Sequence, residues 1–197
     1  MRSSLLSAVS HDLRTPLGAI TGATTTLIED RKSLSDADQM KLLTSVAAQG
    51  FHLERLVSSL LDMTRVESGS LVVRREWVPV EETVGSAINR VRDRLGARTV
   101  TTRLAADVPM LYIDPVLFEQ VLFNILDNTA KHTSEKAVVE IAARNLADGS
   151  GIEIAVSDDG PGLPAGVDVF EKFVRGPDAK SGGVGLGLAI CRGIVQA

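Results

Sequence analysis

From Leu6 to Met63 the apolar residues recur every three or four positions, and beyond Trp77 they do not. A helix repeats its faces every 3.6 residues and a strand every two, so this change of period divides the chain into two kinds of structure. In the first part Leu6, Val9, Leu13, Pro16, Ile20, Ala23 and Leu27 form one seam. Leu42, Val46, Gln49, Leu53, Leu56, Leu60 and Met63 form a second, in which only Gln49 is polar. Both have the a/d spacing of packed helices. Arg31 to Asp36 is polar, and Ser35 or Asp36 is placed to cap the second helix. The spacing predicts an antiparallel helical hairpin over residues 3–67. Two helices cannot cover both stripes, so pairing with a second copy into a four-helix bundle is expected.

Residues 68–76 contain the break Ser68-Gly69-Ser70 and read as a linker. Beyond it, helical patterns occupy about 81–95 and 115–131, and β-rich runs occupy 99–104, 110–113, 137–144 and 152–157. Helices and strands interleave without regular βαβ spacing. The expected fold is an α+β sandwich, one mixed sheet covered on one face by helices. A last helix runs from about 186 to the end. The domains expected are 1–67, a linker 68–76, and 77–197.

A net charge of −4 argues against a nucleic-acid footprint, which needs a basic patch. One cysteine, Cys191, cannot form an internal disulfide and reads as a small buried hydrophobe. No run of eighteen apolar residues spans a membrane. The chain starts inside a helical pattern, so a soluble fragment of a longer protein is expected.

With Leu6 at position a, His11 falls at f, directly away from the seam. An imidazole there faces water beside Asp12 and is free to act as a nucleophile. Position alone also fits an ordinary surface histidine. Pro16, Gly18 and Gly22 crowd helix breakers just after it, which points to a kink.

Four segments of the second half suit one ligand. Asn124, Asn128 and Lys131 stand at i, i+4 and i+7 on one helix face. An amide oxygen there suits Mg²⁺ that shares phosphate ligands, and Lys131 suits the phosphates. Asp158-Asp159-Gly160-Pro161-Gly162 follows an apolar strand. A carboxylate at a strand end can accept from an exocyclic amine such as adenine N6, and Gly160 and Gly162 let backbone approach the base. Gly182 to Leu188 opens the last helix, where backbone amides form an anion site. It lacks the Gly-Lys-Ser/Thr of a P-loop and the frame of a dinucleotide fingerprint. Phe170 to Gly176 lies in a stretch with little secondary-structure signal, as lids often do, with Arg175 able to reach a terminal phosphate. Each segment alone also reads as a polar helix face, a tight turn or a surface loop.

In order, His11-Asp-Leu-Arg-Thr15-Pro, Asn124-x-x-x-Asn128-x-x-Lys131, Asp158-x-Gly160-x-Gly162, Phe170-x-x-Phe173 and Gly183-x-Gly185-Leu-Gly187-Leu188 resemble the H, N, G1, F and G2 boxes of sensor histidine kinases. Arg75 to Trp77 and Val84 to Ala87 further resemble the potassium-responsive Kdp sensor kinases. The resemblance implies a dimerisation and phosphotransfer hairpin, then an ATPase domain of the gyrase, Hsp90, histidine kinase and MutL type. It implies His11 as phosphoacceptor, Asp12 as its base, and Thr15 positioning water when a phosphorylated partner is dephosphorylated. It places Asn128 on Mg²⁺ with Asn124 in support, Lys131 and Arg175 at phosphates, and Asp158 at adenine. Phe173, Gly183, Gly185, Gly187 and Leu188 belong to the nucleotide-binding boxes. His132 stands where the family often has an aromatic, and the chain stops inside the final helix, where family members continue. ATP and Mg²⁺ are the implied cofactors. The implied partners are a second copy and a response-regulator receiver domain, and the implied place is the cytoplasmic portion of an inner-membrane protein. A gyrase-type clamp would need a carboxylate where Asn124 stands, and a silent signalling scaffold would need no intact His11.

Overall fold

The computed structural model describes residues 2–108, 110–163, 166–174 and 185–197. Its hairpin consists of α1 (Arg2–Glu29) and α2 (Asp36–Glu67). Ser35 caps α2: its hydroxyl accepts from Asp38 N at 3.1 Å and donates to the Asp38 carboxylate at 2.7 Å. The seam positions from Val9 to Leu27 and from Leu42 to Met63 are all buried or half-buried, Gln49 included. Pro16 lies buried on the seam, and α1 runs through it as one helix.

The second half contains β1 (Glu76–Val78), α3 (Val80–Leu95), β2 (Thr99–Leu104), β3 (Leu111–Ile113), α4 (Pro115–His132), β4 (Val138–Asn145), β5 (Ile152–Asp158) and α5 (Gly187–Gln196). The described strands form two sheets rather than the single one expected. β2, β4 and β5 make a mixed sheet in that order, with β2 parallel and β5 antiparallel to β4. β1 and β3 make a separate antiparallel pair in which Glu76, assigned to the linker from sequence, faces Ile113. Glu76-Trp77-Val78 follows Arg74-Arg75 and shows no apolar run, whereas Leu111-Tyr112-Ile113, equally short, is apolar throughout and reads as β-rich.

The core lies between this mixed sheet and the two helices α3 and α4. Val80, Val84, Ala87, Val91 and Leu95 recur along one face of α3 and meet Leu122 and Leu126 of α4. Val139, Ile141 and Ala143 alternate inward from β4. Asp114 starts α4: its Oδ1 accepts from Val116 N and Leu117 N at 3.1 Å each, and Pro115 follows at the first helical position. The other oxygen of Asp114 accepts from Arg74 N at 2.8 Å, which ties the linker to the start of α4.

A smaller cluster joins the halves. Met63 of α2 is buried against Leu186, Ala189 and Ile190 at α5, with Leu60, Val66, Phe173 and Ile194 around it. Gln120 Nε2 donates to Asp62 Oδ2 at 2.6 Å, and Lys172 pairs with Glu67.

Candidate phosphoacceptor and nucleotide site

His11 is displayed on α1 with 78% of its side chain exposed. Its Nδ1 lies 3.2 Å from Asp12 Oδ1. With an Nδ1–H donated there, Nε2 keeps its lone pair toward solvent. The Thr15 hydroxyl donates to the His11 carbonyl at 3.3 Å, one turn back. No hydrogen bond among the described residues links these three to the glycine segments. His52 of α2 does sense both regions. Burial, Arg55 and Lys131 depress its pKa, and Asp12 opposes them.

α4 is the spine of the second candidate site. Asn124 packs against the start of α5, 3.9 Å from where a Gly187 side chain would begin. Asn128 is half-buried one turn later. Thr129, itself buried, donates to Asp158 Oδ2 at 3.1 Å, and Gly160 N donates to Oδ1 at 3.0 Å. These two bonds fix an exposed carboxylate at the end of β5. A Cβ on Gly160 would sit 2.7 Å from both that carboxylate and the Thr133 methyl, so the close turn excludes larger residues. Gly162 follows at φ +78° with open space around it.

The glycines before α5 have a different reason. Gly185 has φ +72°, and a Cβ there would lie 2.5 Å from Val174 O. Phe173 N donates to Gly185 O at 2.9 Å, and Phe173 is itself held at φ +64°, a rare conformation for an aromatic residue. Its ring packs beside Met63. Leu188 is half-buried. Arg175, Gly183 and the lid residues between them lie outside the described residues.

Several neighbours of these residues carry no sequence motif. Lys131 Nζ is 2.6 Å from Asp127 Oδ2 on its own helix, and Arg94 of α3 meets the other oxygen. Burial works to raise the Asp127 pKa, but the two cations outweigh it and hold the carboxyl below its usual range. Arg98 closes the C-terminal end of α4, donating to Ala130 O at 2.6 Å, Thr133 O at 2.7 Å and Thr133 Oγ1 at 2.9 Å. A basic residue after a helix is a weak signal, and nothing in the sequence pairs Arg94 with Asp127. Cys191 is buried, as expected, and burial pushes its thiol up to about 11.

The donor set bears on the metal. Among the described residues no group of three His, Cys, Asp or Glu could hold a metal ion. A half-buried amide such as Asn128 supplies one neutral oxygen. That is too little for a resident ion and suits a Mg²⁺ arriving with phosphates, which keeps most of its other ligands.

Residues 1–69 match the His Kinase A (phospho-acceptor) domain, and residues 113–197 match the histidine kinase-, DNA gyrase B- and HSP90-like ATPase. The chain belongs to the sensor histidine kinases and carries both domains of a protein histidine kinase. It is 38% identical over 199 residues to the sensor protein KdpD of Escherichia coli (strain K12), an alignment covering 100% of this chain and 22% of that protein. The chain thus spans about a fifth of the length of such relatives. Its fold is that of the Acinetobacter baumannii histidine kinase AdeS, with TM-score 0.72 at 23% identity over 94% of this chain and 86% of that one. ShkA, solved full-length in complex with AMPPNP, aligns with TM-score 0.70 and 25% identity over 98% of this chain and 40% of its own. No described helix is long and apolar enough to cross a membrane.

Proposed function

We propose that this chain binds ATP with Mg²⁺ along α4, transfers the γ-phosphoryl group to His11, and passes it to an aspartate of a response-regulator receiver domain. The observation that carries the reading is the pairing of an outward imidazole with a fixed acceptor. His11 is solvent-exposed with Nε2 unengaged, and Asp158 is locked by Thr129 and Gly160 where an adenine amine can donate to it. A solved relative holds AMPPNP, which favours the same ligand class here.

In this mechanism Asp158 and the Gly160–Gly162 turn receive the base. Lys131 and Arg175 are assigned to the phosphates, with the amides around Gly183, Gly185 and Gly187. Asn128, supported by Asn124, would hold the Mg²⁺, which would shield phosphate charge. Phe173 and Leu188 flank the pocket. Asp12 holds Nδ1–H, so Nε2 attacks the γ-phosphorus in line. The bond from γ-phosphorus to the bridging oxygen breaks, an N–P bond forms, and ADP leaves. Such transfer depends on positioning and charge stabilisation more than on covalent chemistry. Thr15 positions water for the reverse task, dephosphorylation of the regulator.

Dimerisation belongs to the same reading. Leu43, Phe51, Val57 and Leu61 remain exposed along α2, a surface a second hairpin would cover. The same reading divides the chain into 1–67, a linker 68–76 at the Ser68-Gly69-Ser70 break, and 77–197, and takes it as the cytoplasmic part of a membrane-anchored protein with a potassium-linked stimulus, which likeness to KdpD supports.

The test is incubation with γ-labelled ATP and Mg²⁺. Label should appear on the chain, survive base and be lost in acid. His11→Gln should reduce it to background while ATP binding stays unchanged. Label that persists in that variant refutes the assignment.

A further inference from the structure

Lys131 keeps company that its proposed task does not require. Its Nζ lies 2.6 Å from Asp127 Oδ2, one turn back on α4. Arg94 reaches across from α3 to the other oxygen, Nη1 to Oδ1, at 2.5 Å. The Asp127 side chain is only 12% exposed. The two cations are not equivalent. Arg94 is anchored a second time, its guanidinium carbon 5.0 Å from the centre of the Phe123 ring. Lys131 has Asp127 as its one ion-pair partner among the described residues, and a flexible four-carbon stem lets Nζ turn about Asp127. Asn128, which would meet the Mg²⁺ of the nucleotide, is the next residue along.

A buried carboxylate stripped of every cation is strongly disfavoured, whereas one that keeps a partner is not. Arg94 therefore makes it cheap for Lys131 to leave. We infer that Asp127 is a positioning residue which holds Lys131 in the absence of nucleotide, so that an ATP phosphate must take Lys131 from it while Arg94 keeps Asp127 paired. The inference rests on the reading of Lys131 as a phosphate ligand. It goes beyond that reading by making ATP affinity a competition whose terms are set by Asp127 and Arg94. Arg55 and His52 face this group from α2: Arg55 senses Arg94 and Asp127, and His52 senses Lys131.

The competition fixes the signs of the test. Calorimetry of the whole chain with ATP in Mg²⁺ should show Asp127→Asn binding about fivefold more tightly, because Lys131 is no longer held. Arg94→Gln should bind about tenfold more weakly, because Lys131 becomes the only counter-ion Asp127 has. In a Lys131→Ala background both changes should vanish. The Michaelis constant for ATP in autophosphorylation should follow the affinities, with kcat within about twofold. Weaker binding by Asp127→Asn in both backgrounds, with a lowered unfolding temperature of the nucleotide-free chain, would make Asp127 a support of the fold and overturn the inference. If Lys131→Ala alone leaves ATP affinity unchanged, the phosphate role of Lys131 fails and this inference with it. If Lys131→Ala weakens ATP but Asp127→Asn does not tighten it, only the inference fails. Should Asp127→Asn not fold, Arg94→Gln with and without Lys131→Ala decides the matter: a tenfold loss in one background alone upholds the inference, and an equal loss in both overturns it.

Discussion

In α2 only Leu56 and Met63 are buried, and Met63 owes its burial to α5 rather than to α1. The α/β half instead encloses a continuous cluster running from Val80 through Leu126 to Ala143. One half is a ribbon with an apolar seam and further apolar residues left outside, and the other closes on itself. The chemistry is distributed in the same way. On the proposed function His11 needs nothing around it but Asp12 and solvent, whereas the candidate nucleotide site needs a helix, a strand end and two glycine turns brought together. A ribbon that presents a nucleophile must borrow both its stability and its phosphoryl donor from outside. A closed domain can build a pocket because its core already fixes the distances.

Substitutions in the two halves should separate these roles. Leu126→Ala, which empties a fully buried site between α4 and the sheet, should cost about 2–5 kcal/mol in denaturant unfolding, whatever the protein concentration. A loss below about 1 kcal/mol would mean that this core is looser than its packing implies. Asp114→Ala should cost about 1–2 kcal/mol by removing the cap of α4. Phe51→Ala sits on the exposed face of α2 and should change unfolding of the monomer by no more than about 0.5 kcal/mol. Sedimentation should nevertheless show a weaker dimer. An unchanged association constant would remove Phe51 from the interface.

The smallest effect expected is one of pH. Burial, Arg55 and Lys131 lower the His52 pKa in the folded chain. The unfolded chain then binds more protons as pH falls through the ordinary histidine value of about 6.5, so stability is present above that value and declines below it. His52→Gln should flatten this decline between pH 8 and 5.5 in thermal unfolding. A decline that persists unchanged assigns it to other groups.

How much of this could be read from the sequence differs between the halves for a physical reason. The seam from Val9 to Met63 was legible because one period acts over many residues, and His11 could be placed outward by counting from Leu6. α3, α4 and the longer strands were legible in the same way. β1 was lost because Glu76 opens it behind Arg74 and Arg75, so it lacks the apolar run that marked the equally short β3. The two-sheet arrangement was lost because strand pairing is long-range: β1 meets β3 across α3 and β2. Asp127 went unread because its importance comes from Arg94, on another helix, and no spacing rule joins those two positions. Glycine gave a mixed signal. Gly160 and Gly185 stand where only glycine fits, and the sequence marked them, but it could not say that Phe173 would share the strained turn.

Asp114 has one further consequence. The same carboxylate that starts α4 also grips the backbone at Arg74, so the connector is pinned where α4 begins. Were the stem to twist, torque not absorbed between Ser68 and Val73 would reach the first turn of α4 through this bond.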